Sequence, residues 1–248
     1  GMALTMAAGA PAGVNTTTMA TIATLIANIQ SFVRTVLVPD VTLLAAAYKT
    51  PWATLGAGPG NLLSYGEFPE ADGANAAPFL PPGRVVGRNL STVAAVDQAA
   101  IAETVARSWY TDTAGDATAR HPASGQTTPA YTGPQPPYTS ITTDKYSWLK
   151  APRYGGAVYE VGPLARLAVA YAAGSTPVRQ SVDTFLTGLA LPSGALFSTI
   201  GRLAARALET QLIADRLSSW LTALRGNIAA GDLRIADATR WAPSTWPA

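Results

Sequence analysis

A single histidine, His121, and no cysteine occur among the 248 residues. Without cysteine there are no disulfides, no thiolate metal sites, no iron–sulfur ligation and no thiol nucleophile. One histidine excludes a multi-histidine metal site. What remains is carboxylate, guanidinium, ammonium and hydroxyl chemistry. Glu160 and Arg166 lie on either side of Gly162-Pro163. An internal ion pair here, with Arg202 or Glu209 as a further member, would orient buried helices. Arg202 and Arg206 share a helix face, and Arg206 and Glu209 are spaced to pair. Lys150 and Arg153 frame a proline turn, either salt-bridged within the chain or facing a partner. The turn Gly58-Pro59-Gly60-Asn61 lacks the Lys-Ser/Thr ending of a phosphate loop. Asn61 and Tyr65 are then hydrogen-bonding points of a tight turn or an interface. His121, next to Pro122 in an irregular stretch, reads as a surface residue. No residue is expected to be catalytic, cofactor-binding or metal-binding.

Helices at both ends and an irregular middle must position these groups. Met19, Ile22, Ile26, Ile29, Val33 and Val36 recur at helical spacing and predict one apolar face over residues 16–37. Pro39 and Asp40 punctuate, and a second helix is expected over 41–49. Residues 56–66 hold four glycines and predict a turn into an extended segment. Residues 78–90 read as a strand or hairpin, and 97–109 as a helix. Residues 111–145, rich in Thr, Pro, Gly and Ser, predict a packed irregular excursion anchored by Tyr131 and Tyr138. Helices follow over 164–173 and 178–191. One long helix is expected over 193–230, with Leu196, Ile200, Leu203, Ala207, Leu217, Leu221, Leu224 and Ile228 on its apolar positions. Six tryptophans, Trp241 and Trp246 among them, are large anchors with no cofactor spacing. The fold class is mainly α with small β elements, in a single domain over 1–248.

Composition narrows the function classes. Charged residues are 13% of the chain, about half the ~25% of ordinary soluble domains. Either an alanine-rich background or a surface hidden against a partner produces such a figure. The net charge is +2 and the basic residues are scattered, which excludes the clustered stripe of a nucleic-acid binder. No run of about 18 consecutive apolar residues is present, so no transmembrane segment is expected. No basic residue precedes Arg34, so no secretory signal is expected.

The run from Lys145 to Arg166, KYSWLKAPRYGGAVYEVGPLAR, resembles a signature of the large subunit of nickel–iron hydrogenases. Other segments agree in order: GAGPGNLLSYGEF from Gly56 to Phe68, then Ser108-Trp109-Tyr110, His121-Pro122, Tyr131-Thr132-Gly133-Pro134, and GRLAARALET from Gly201 to Thr210. The similarity runs from about residue 13 to 246 and looks closest to the uptake, membrane-associated branch. The resemblance implies a largely helical subunit around a nickel–iron centre, docked on an iron–sulfur small subunit, that splits dihydrogen reversibly into protons and electrons. It also implies metal ligation by two cysteine pairs, one near each terminus of the family's chain. This sequence is expected to begin after the first pair and stop before the second. The chain by itself is thus expected to be inactive and metal-free, with self-association through uncovered apolar faces. A cysteine-free scaffold that binds a maturation factor, or a decayed remnant, are the alternatives. Motif or partner-interface positions are Asn61, Tyr65, Lys150, Arg153, Tyr154, Glu160, Arg166, Arg202 and Glu209. The location implied is the cytoplasm, or the membrane or periplasm through a partner subunit.

Overall fold

A computed structural model describes residues 15–71, 76–137 and 144–232. They fall into two compact units, Gly1–Ala47 with Arg206–Ala248, and Tyr48–Ala205. Among the described residues the architecture is mainly α, with three two-stranded antiparallel sheets. Tyr138, Trp241 and Trp246 lie outside them.

In the first unit, α1 (Thr16–Phe32) starts at Asn15, whose side chain accepts the Thr18 N–H at 2.9 Å. The expected break at Pro39 does not occur. A π-helical turn, Val33–Leu37, carries α1 directly into α2 (Val38–Ala47). Proline has no N–H to give, and its ring presses on the carbonyl one turn back. The widened turn accommodates this, with the Val38 N–H reaching back to the Val33 carbonyl. The extra residue shows in what is buried. Met19, Ile26 and Val33 follow at intervals of seven, and Val41 comes eight later. The predicted face is correspondingly narrower: Ile29 and Val36 are 47% and 39% exposed.

The second half of α6 (Thr199–Ala229) runs antiparallel to α1. Arg225 donates to the Met19 carbonyl at 2.9 Å, and Gln30 donates to the Ala214 carbonyl and Ser218 Oγ, each at 2.9 Å. Arg34 pairs with Asp215 at 2.6 Å. Leu221 packs with Met19 and Ile26, flanked by Leu217, Leu224 and Ile228. These are the apolar positions the sequence places on one face. The helix begins later than expected, because Ser193–Phe197 is a 3₁₀ turn and Ser198 is extended. Ser198 Oγ accepts the Gly201 N–H at 3.3 Å, which makes this serine the cap of α6.

The α1–α2 run also qualifies an expectation about membranes. Polar residues interrupt every apolar run, yet mean hydropathy reaches 1.4 along Thr16–Ala47. By length and composition this one helical run is apolar enough to cross a bilayer, a property it shares with core helices of soluble proteins.

In the second unit, α3 (Lys49–Trp52) leads to the glycine-rich turn. Strands β1 (Leu62–Pro69) and β2 (Pro78–Val85) then pair antiparallel, Leu62 opposite Val85 and Glu67 opposite Leu80. Helix α4 (Pro163–Ala172) packs on both strands, with Pro163 in its first turn and Leu164, Leu167 and Val169 buried. Helix α5 (Thr176–Gly188) folds back on α4 and buries Val178, Val182, Phe185 and Leu186. Gly201 is obligatory here, because a Cβ on it would overlap the Leu196 backbone.

Residues 97–109 are not the predicted helix. Asp97 caps only the 3₁₀ turn Gln98–Ala100, and β3 (Ile101–Thr104) follows. Its partner, β6 (Ala151–Tyr154), is distant in sequence, so local periodicity does not reveal the pairing. Strands β4 (Tyr110–Asp112) and β5 (Thr127–Pro129) form the third ribbon inside the irregular excursion. That excursion is packed around Trp109, whose ring lies 4.8 Å from Tyr131 and 5.3 Å from Trp148. Trp109 Nε1 donates to the Lys145 carbonyl at 3.1 Å.

The narrowed α1 face is directly measurable. Ile26→Ala is expected to lower stability by roughly 2 kcal/mol. Ile29→Ala is expected to cost less than about 1 kcal/mol. Equal losses in urea denaturation would mean that the broader predicted face is the packed one.

Candidate functional site

Three of the singled-out segments meet at one side chain. Arg202, in the first turns of α6, donates from Nε to Glu160 Oε1 at 2.7 Å and from Nη2 to Oε2 at 2.5 Å. Its Nη1 donates to the Gly56 carbonyl and, at 3.3 Å, to the Ser198 carbonyl. Both side chains are 22% exposed, so solvent screens the pair only in part. The bidentate geometry matches the planar fork of a guanidinium. Both Glu160 oxygens are engaged, which suits an orienting carboxylate rather than a proton carrier.

The backbone completes the junction. Glu160 N–H donates to the Asn61 carbonyl at 2.9 Å, and Leu63 N–H donates to the Glu160 carbonyl at 2.9 Å. Glu160 therefore extends the β1–β2 sheet by a parallel bridge at Leu62. The Asn61 side chain accepts the Gly87 N–H at 2.9 Å and donates to the Val158 carbonyl at 3.3 Å. Gly58, at φ 61°, lies so close that a Cβ would overlap the Arg202 guanidinium. The turn that the glycines predict is thus held by Arg202, with Thr199 N–H also bonded to the Leu55 carbonyl at 2.9 Å.

Asn61, Glu160 and Arg202 are brought together. Tyr154 stands at the end of β6, where its hydroxyl accepts the Asp97 N–H at 2.9 Å. The Arg84 guanidinium lies 4.3 Å from its ring centroid and donates to the Tyr159 hydroxyl at 3.0 Å. Sequence reasoning missed Arg84, since nothing local in residues 78–90 points to two tyrosines far downstream. Lys150 pairs with Glu103 at 2.8 Å, on the β3–β6 ribbon that replaces the predicted helix. Arg153 donates to the neighbouring Pro152 carbonyl at 2.7 Å. Tyr65 is half exposed on β1. Arg166 lies in the first turn of α4, and Glu209 is buried in the two-helix unit. His121 Nδ1 accepts the Ala123 N–H at 3.1 Å and so serves its own turn.

A second polar knot holds the excursion. Lys145 Nζ donates to Asp116 Oδ2 at 2.5 Å and to the Tyr110 carbonyl. The Lys145 hydrogen bond, seconded by the Asp112 N–H, holds the Asp116 carboxyl below its usual value, against an opposing effect of burial. A depressed carboxylate pKa stabilises the fold above the unfolded value, about 3.9, and that stability is lost as pH falls through the folded value. Lys145→Met is therefore expected to lower stability at neutral pH and to weaken the fall in stability below about pH 4. Urea titrations at neutral and acid pH check this; an unchanged acid slope would remove Lys145 as the cause.

For the junction, Arg202→Lys is expected to cost about 1–3 kcal/mol in denaturant unfolding, because an ammonium cannot serve both carboxylate oxygens and two carbonyls. Glu160→Gln with Arg202→Lys should cost less than the sum of the single changes. Additivity would mean that the pair does not couple.

The comparisons with known proteins agree along the whole chain. The family model described as nickel-dependent hydrogenase matches residues 1–248. The uptake hydrogenase large subunit of Rhizobium leguminosarum bv. viciae is 38% identical over 252 residues, covering 96% of this chain and 42% of that protein. The hydrogenase-1 large chain of Escherichia coli (strain K12) is 34% identical over 253 residues, again covering 96% and 42%. Among solved structures, the [NiFeSe]-hydrogenase of Dm. baculatum superposes with a TM-score of 0.69 at 28% identity, covering 85% of this chain and 40% of that one. The chain thus spans well under half the length of the relatives it matches.

Proposed function

Because the chain belongs to the nickel-dependent hydrogenase family, we propose that it supplies the part of a hydrogenase large subunit that braces the catalytic scaffold without holding the metal. The observation that carries this reading is the Arg202–Glu160 junction, which ties together segments separated by more than half the chain.

A nickel–iron centre is the group the family implies, and the residues present do not fit it. Nickel among soft ligands calls for thiolates, and the sequence has no cysteine. Among the described residues no group of three or more His, Cys, Asp or Glu is placed to hold a metal ion. No step of dihydrogen chemistry is therefore assigned to any residue here. In this reading, interconversion of dihydrogen with protons and electrons belongs to the full-length large subunit, where cysteine pairs outside the present sequence would supply the thiolates. The partner in this reading is an iron–sulfur small subunit, and the location follows that partner, at the membrane or in the periplasm.

Purified chain is expected to contain nickel well below one atom per molecule and to give no dihydrogen-dependent reduction of viologen dyes. Elemental analysis and an anaerobic dye assay test this. A nickel-to-protein ratio near one would sink the reading. Co-purification from the native host of a maturation factor, without a small subunit, would favour an assembly scaffold instead.

A further inference from the structure

We draw no further inference here: the strongest candidate, the exposed apolar stripe of Leu25, Ile29, Phe32, Val36 and Leu44 along the α1–α2 helix, carries nothing because exposed Asp40 falls in line between Val36 and Leu44 and nothing in the structure shows what covers that face in a chain spanning well under half the length of its relatives.

Discussion

One guanidinium sets the geometry of the larger unit. Arg202 reads three backbone regions at once: the glycine turn through the Gly56 carbonyl, the segment entering α4 through Glu160, and the cap of its own helix through the Ser198 carbonyl. Each is a place where regular secondary structure ends and carbonyls are left over. A lysine offers one charge centre, and a neutral side chain offers fewer donors than there are acceptors. The glycines complement this. At Gly58 a side chain would take the space the guanidinium fills, and the positive φ there is one that other residues adopt at a cost.

From that anchor the rest of the unit follows by short steps. Glu160, fixed at its carboxylate, is also fixed at its backbone to Asn61 and Leu63, so the chain enters α4 in register with β1. Gly162 and Pro163 then start α4 on the face of β1 and β2, where its small and branched residues sink into the core. The irregular excursion is organised differently. It has little apolar bulk of its own and depends on Trp109, Tyr131 and Trp148, with Lys145 joining Asp116 to the Tyr110 carbonyl. Rings provide large contact area at small conformational cost, which suits a segment short of regular hydrogen bonding.

What was legible in the sequence is what is local. The extended segments that become β1 and β2, the helices after Pro163 and the apolar positions of α6 near its end all follow from periodicity, glycine and proline. For Glu160 the sequence offers Arg166 beside it, with Arg202 or Glu209 as a further member, and in the structure Glu160 pairs with Arg202. Three readings failed where a distant partner or a local defect decides. Residues 101–104 satisfy their backbone against β6, which no window around them contains. Ser198 looks like a helix interior residue, yet it is the cap. Pro39 reads as a stop, but a single widened turn absorbs it, at the expense of rotating everything beyond. Arg84 escaped notice for the first of these reasons, since its two tyrosines belong to the segment around β6.

The widened turn also bears on how the exposed apolar residues of the helix are arranged. Scattered exposed apolar residues are ordinary on any protein surface and explain nothing. Five of them in line on one helix, bordering the stripe that packs on α6, are a different matter. An alanine-rich background would dilute charge everywhere and would leave small side chains exposed. Here the exposed positions hold leucine, isoleucine, phenylalanine and valine, and the inserted residue at Val33–Leu37 keeps Leu44 aligned with Leu25 as it keeps Val41 aligned with Val33.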